Sequence, residues 1–297
     1  MEPLRAGGYE FSTVVTEIRD IRTQRVHTYG LSVGLIMGAG GRPRPCVSIS
    51  VTAEHDDERL RHALPADVAA LNQVEYAPCC SLGKPLHRGG GTGVMVRAAC
   101  RLALRMYPWV RAFKLTDTSH VDCGGRAVPL AELSLCCYGM TWYERVFGAQ
   151  LADAARHQAY RLLVDQQLLA PDAKPSSFAA FCTEAAVPED LWQVVRPAYD
   201  SQASLTAFFA ALRDQLSGEP FCAVFGGWGG AFIANRLRGL HRGEWLIRAE
   251  ALGVDLEAEA GAAADEKVRG GVGLSWCCGR PVLWEPAAMP TLPIEEL

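Results

Sequence analysis

The chain has 297 residues, enough to bury a large core in one big domain or two. Hydrophobic residues make up 49% and charged residues 21%, the balance of a folded globule rather than of a disordered or fibrous chain. The formal net charge of −4 supplies no overall basic field for nucleic acid, and no run of about 18 apolar residues is present to cross a membrane.

Residues 1–8 read as a loose tail, with no apolar stretch of signal-peptide type. Residues 9–18 are β-branched and alternate Phe11, Val14 and Ile18 with polar neighbours, which predicts a strand. Residues 25–37 form a second, and Cys46-Val47-Ser48-Ile49-Ser50-Val51 alternates strictly and forms a third. The Gly/Pro-rich segment 38–45 between them predicts an antiparallel hairpin. Residues 56–71 read as partly helical, interrupted by Pro65, and residues 74–77 as a short strand.

The most informative stretch follows. Arg88-Gly89-Gly90-Gly91-Thr92-Gly93 runs into Val94 and then into helix formers that stop at Pro108. Val94, Ala98, Leu102 and Met106 recur four apart beside Met95, Ala99 and Ala103, while Arg97, Arg101 and Arg105 mark a wet edge. A glycine loop entering a helix N-terminus gathers unpaired N–H groups and the positive end of the helix dipole, which suits an anion. Gly-Val-Met at the helix start excludes a Walker loop, and the spacing fits a dinucleotide fingerprint poorly.

Residues 110–116 predict a strand, with Asp117, Thr118, Ser119 and His120 in a polar loop at its carboxyl end, where open α/β sheets keep their ligands. Residues 129–145 predict one helix ending in Tyr143-Glu144-Arg145-Val146-Phe147-Gly148. Further helices are expected over 151–169, from the Ser176-Ser177 cap to 186, and over 191–199 and 205–216. The glycine cluster at 226–230 reads as close packing against aromatics before a short helix at 231–237. Residues 244–249 predict a strand and 273–284 a final strand or hairpin around Gly279-Arg280-Pro281, with an Ala/Glu-rich helix or loop at 256–268 between them. Eleven cysteines without Cys-x-x-Cys spacing, in apolar company, read as reduced structural thiols in a reducing, cytoplasmic compartment, with no metal site.

Arg88-x-x-Gly-x-Gly, the helix, the strand and the Tyr143-Glu144 helix, in that order, resemble the GCN5-related N-acetyltransferase (GNAT) superfamily over roughly residues 74–148. Phe147-Gly148 stands where that family has Gly-Phe, and its frequent upstream asparagine is absent, with Cys136 near its place. The resemblance implies an α/β (α+β) fold: a mixed, mostly antiparallel twisted sheet flanked by helices, with a helical insertion. It implies a core at 1–149, a helical subdomain at 150–240 and closing strands with a tail at 241–297. It implies acetyl-CoA as acyl donor, held by Arg88, Gly89, Gly90, Gly91, Thr92, Gly93 and Val94. It places Tyr143 as the acid for the leaving thiolate and Glu75 as the base, and the polar loop adds Asp117 and His120 as further candidates.

The implied partner is an amine acceptor, small molecule or protein, with further protein partners through the helical region and no nucleic acid or membrane. The alternative is a catalytically inactive protein of the same fold, used for binding or assembly. Its Ala/Arg-rich, Trp-rich character also resembles uncharacterised proteins of large DNA viruses, for which a virion role is the expectation. No Gly-x-Ser-x-Gly elbow supports hydrolase chemistry.

Overall fold

The computed structural model describes residues 3–253, apart from 20, 23, 38–40, 54–66, 88–89, 123–126 and 217–218, together with 274–277 and 280–283. It is a mixed α/β protein whose strands pair mostly antiparallel and are flanked by helices. The chain divides into two compact units, 1–111 with 254–297, and 112–253. These boundaries differ from the expected divisions at 149/150 and 240/241. No helix among the described residues is long and apolar enough to span a membrane.

The first unit opens with a hairpin, not a tail. Strands β1 (Leu4–Ala6) and β2 (Tyr9–Phe11) pair antiparallel, with Ala6 opposite Tyr9 across Gly7 and Gly8. The expected strand at 9–18 is therefore two, β2 and β3 (Thr13–Arg19), parted at Ser12. Strands β3, β4 (Val26–Met37), β5 (Pro43–Thr52) and β6 (Val68–Val74) form an antiparallel meander in that spatial order. The alternation of Val47, Ile49 and Val51 sets its register, because they lie opposite Val33, Leu31 and Tyr29 and bury one face. Where a helix was expected to reach residue 71, Val68–Val74 is strand; residues 54–66 lie outside the described residues. Burial of Ala69 and Leu71 in the sheet decides this over local propensity.

Helix α1 (Gly90–Met106) packs on β4, β5 and β1. Its buried stripe is Met95, Val96, Ala99, Cys100, Ala103 and Leu104. The predicted stripe is rotated by a fraction of a turn, since Val94, Leu102 and Met106 are only half-buried. Arg101 and Arg105 keep the exposed edge expected of them.

Cys46 and Cys80 are joined as a disulfide spanning 34 residues, which corrects the expectation of reduced thiols throughout. Cys222 is disulfide-bonded as well. Gly34 sits above the first bridge with φ +66°, in the left-handed region, and its N–H donates to Ser12 O at 2.9 Å. A Cβ there would lie 2.7 Å from the Cys80 carbonyl oxygen and 3.2 Å from Cys46 Sγ, so only glycine fits.

In the second unit β11 (Glu244–Arg248) lies antiparallel between β7 (Ala112–Thr116) and β10 (Gln150–Leu151). Strands β8 (His120–Asp122) and β9 (Ala127–Pro129) make a separate hairpin. The single helix expected at 129–145 is two, α2 (Leu130–Tyr138) and α3 (Trp142–Phe147), because Gly139 caps the first and Thr141 starts the second. Helices α4 (Ala154–Val164), α5 (Phe178–Ala185), α6 (Trp192–Ser201), α7 (Leu205–Leu216), α8 (Glu219–Gly226) and α9 (Gly229–Arg236) lie between β10 and β11 in the chain. Ser177 caps α5 as expected, its hydroxyl accepting from Ala180 N at 3.1 Å.

This block is held by aromatic rings. Phe181 contacts Tyr199, Phe208, Trp228 and Phe232 at centroid distances of 4.8–5.7 Å. Gly229 is forced by packing, since a Cβ would stand 2.1 Å from the Phe225 ring. Each such buried ring contributes roughly 1.5–3 kcal/mol, so the block carries its own core. The segments expected to close the sheet, a strand at 244–249 and a strand or hairpin at 273–284, part company. The former is β11, while among the described residues Leu274–Cys277 and Arg280–Leu283 pair with each other as the hairpin β12–β13. The segment 256–268 lies outside the described residues.

Candidate functional site

The start of α1 follows β6 through a 3₁₀ turn at Pro78–Cys80 and the buried Leu86. Leu86 N donates to Pro78 O at 2.8 Å, which fixes the approach to the helix. Gly90, Gly91, Thr92 and Gly93 form the first helical turn, which carries no acidic residue. Gly91, Thr92 and Gly93 are buried. A Cβ on Gly91 would lie 2.9 Å from Leu86 Cδ1 and 3.4 Å from the Tyr9 hydroxyl. Gly90 is exposed, with nothing among the described residues within 4 Å of its Cβ position. Val94 is half-buried and packs under Gly7, whose Cβ would meet it at 2.8 Å. Packing therefore accounts for Gly91 but not for Gly90. Arg88 and Gly89 lie outside the described residues.

Glu75, the expected base, is half-buried just past β6. Arg44 pairs with its Oε1 at 2.5 Å, and Gln73 donates to its Oε2 at 3.2 Å. Its backbone N–H donates to Cys46 O at 2.7 Å. It belongs to the first unit, whereas Asp117, His120 and Tyr143 belong to the second.

Tyr143 is buried at 5% exposure between Trp142, 4.9 Å away, and Phe147 at 6.2 Å. The rest of its motif is helix punctuation. Thr141 and Glu144 form a reciprocal capping box: Thr141 N donates to Glu144 Oε2 at 2.7 Å, and Glu144 N to Thr141 Oγ1 at 3.3 Å. Tyr160 donates to Glu144 Oε2 at 2.6 Å, and burial together with the Glu144 charge pushes the Tyr160 phenol up. Gly148 takes φ +61° as a left-handed cap, its N–H donating to Glu144 O at 2.8 Å. Phe-Gly in this order is what a buried ring and a C-terminal cap require. His120 is exposed at the start of β8.

Asp117 leads to a group that spacing does not reveal. Ser119 donates to its Oδ1 through N at 3.0 Å and through the hydroxyl. Its Oδ2 is buried and has no hydrogen-bond partner among the described residues. Burial pushes the carboxyl up, the Glu132 charge adds to that, and Ser119 and His241 oppose it. Glu132 is 1% exposed on α2 and accepts from His241 Nε2 at 3.1 Å and from Arg242 Nε and Nη2 at 3.0 and 2.7 Å. Burial alone would raise Glu132, but bonds from His241 and Arg242 outweigh it and hold the carboxyl at about 2. His241 Nδ1 is likewise buried and has no partner among the described residues. Two carboxyls driven apart in this way suit one to carry a proton and the other a charge.

The lone acid in Leu130-Ala131-Glu132-Leu133-Ser134-Leu135 was the available signal, because a carboxylate on an apolar helix needs a partner. That partner lies 109 residues on, beyond any local spacing.

The two shifts have opposite signs in pH. Glu132 lies below its usual 4.5 when folded, so its stabilisation is present above pH 4.5 and lost as pH falls toward 2. Asp117 is raised, so its contribution holds at low pH and fades as pH rises through its folded value. Urea melts at pH 5 and pH 2.5 should show the wild type losing roughly 2 kcal/mol more than Glu132→Gln. Equal losses in the two proteins would contradict the assignment.

Compared with known protein families, curated proteins and solved structures, the chain matches none.

Proposed function

We propose that the chain is an acyl-CoA-dependent N-acyltransferase of GNAT-like fold, transferring an acetyl group from acetyl-CoA to an amine. The observation that carries this reading is the acid-free, glycine-built first turn of α1, arriving directly after the last strand of an antiparallel meander, with Gly90 open. Backbone N–H groups of Gly90, Gly91, Thr92, Gly93 and Val94 would face the diphosphate, with the helix dipole favouring its charge. Arg88 and Gly89 complete the motif in sequence.

In the reaction the amine nitrogen attacks the thioester carbonyl, the C–N bond forms and the C–S bond breaks. A base takes the amine proton, and the thiolate leaves with a proton from an acid. Glu75, paired with Arg44, serves as base directly or through water. Tyr143, the acid the resemblance implies, is enclosed by aromatic rings, and burial pushes the Asp117 carboxyl up.

A second reading, a binding or assembly protein of the same fold without catalysis, is favoured by that enclosure and by the helical block with its own core. The two readings divide on activity as well as on ligand. Acetyl-CoA at about 100 times its dissociation constant should stabilise the native protein by about 2.7 kcal/mol, read as a rise of several degrees in melting temperature. An unchanged melting temperature at millimolar acetyl-CoA excludes the enzyme. A rise without CoA release in the presence of a panel of amines selects the second reading.

A further inference from the structure

We propose that the second unit carries a binding site of its own for a primary amine, in which Asp117 and His241 accept N–H bonds from the ammonium group. The site lies wholly within residues 112–253 and does not rest on the acyltransferase reading. Four buried side-chain polar atoms lack a hydrogen-bond partner among the described residues, and two of them, Asp117 Oδ2 and His241 Nδ1, belong to one group. Buried polar atoms are ordinarily paired, so two orphans in one group point to a ligand that pairs them.

The fold brings these residues together from three segments. Ser119 O accepts from Leu130 N at 2.9 Å, which ties the loop carrying Asp117 to the first residue of α2. Glu132 stands two residues on in that helix and accepts from His241 Nε2 at 3.1 Å. Trp245 Nε1 donates to His241 O at 3.2 Å, and Trp245 lies opposite Leu115, two residues before Asp117. The charges of Glu132 and His241 are both felt at the Asp117 carboxyl. The His241 side chain is fully buried, yet solvent is near: Asp117 is half-buried between the exposed Thr116 and Thr118, and Arg242 is exposed.

Both orphan atoms are acceptors. Glu132, held at about 2, is ionised at neutral pH and can only accept, so His241 Nε2 carries the proton. In the neutral ring that leaves the lone pair on Nδ1. Asp117 Oδ1 is taken by Ser119, which leaves Oδ2 for a ligand. Asp117 enters no ion pair among the described residues. Once ionised it joins Glu132 in setting two carboxylates against the one Arg242 guanidinium. A primary ammonium supplies the missing positive charge and three N–H donors, and a protonated Asp117 releases its proton as the ion pair forms. Carboxylates and phosphates bring further acceptors and negative charge, and are disfavoured.

The test is titration of the full chain with methylammonium chloride, the smallest amine that carries the group. Tetramethylammonium chloride at equal ionic strength is the matching cation without an N–H. The readouts are the ¹⁵N resonance of His241 Nδ1 in labelled protein and the melting temperature. Methylammonium should move that resonance saturably to lower frequency and raise the melting temperature, and tetramethylammonium should do neither. Asp117→Asn keeps an oxygen for Ser119 and removes the charge, and should weaken methylammonium about tenfold or more. Asp200→Ala, at an exposed pair with Arg196, should bind as the wild type does. No saturable shift in the folded wild type, equal responses to the two cations, or wild-type affinity in Asp117→Asn would each overturn the proposal.

Discussion

Truncating Glu132 to alanine is expected to destabilise the protein by about 3–5 kcal/mol, the usual cost of stranding one member of a buried charged group. The His241 side chain is fully buried and donates to Glu132, so the truncation leaves both ring nitrogens unpartnered. Arg242 is 60% exposed and can turn to water, so the loss falls mainly on the imidazole. Removing His241 in the same protein should recover part of the cost, because the two changes share one interaction. Asp200→Ala, which breaks an exposed pair with Arg196, should change stability by less than about 1 kcal/mol. Urea midpoints of the four proteins decide the matter. A Glu132→Ala loss no larger than that of Asp200→Ala would show that the group contributes nothing.

The second large effect is expected at the bridge between Cys46 and Cys80. Replacing both by alanine should cost roughly 3–4 kcal/mol, since the link closes a 34-residue loop and restricts the unfolded chain. Both sulfurs are buried, at 0% and 1% residue exposure, so reductant should act only once the unit opens. Alkylation in denaturant without reductant should leave Cys46 and Cys80 unlabelled, while Cys100, Cys136, Cys137 and Cys182 react. Labelling of Cys46 and Cys80 under those conditions would refute the bridge.

Elements fixed by local rules could be read from the chain. The strict alternation at 46–51 gave β5, the Ser177 cap gave α5, and 3.6-residue periodicity gave α7 over Leu205–Leu216. Where tertiary packing governs, local reading misses. Val68–Val74 is strand because the meander needs a fourth member, and Gly139 splits a helix whose apolar pattern runs straight through it. The hairpin at residues 4–11 is short and polar on one face, so it carries too little periodicity to show. Thr141-x-x-Glu144 was a legible capping box hidden inside a motif with a catalytic interpretation.

The candidate site divides along the same line. The glycine run at 90–93 marks a helix start in sequence, and its acid-free first turn follows from composition. The packing of Tyr9 against that turn depends on a hairpin folding back on it, a contact about 80 residues apart for Tyr9 and Gly91. The Glu132, His241 and Arg242 group joins α2 to the segment before β11, with the whole helical block between them in the chain.

The central claim is that the N-terminal turn of α1 receives a diphosphate. Its most direct measurement is a parallel titration with CoA and with pantetheine, which shares the thiol arm but lacks the diphosphate. The account predicts CoA binding with pantetheine at least about a hundredfold weaker, the scale of two charge-assisted hydrogen bonds. Equal affinity for the two, or no CoA binding by the folded chain, would contradict it.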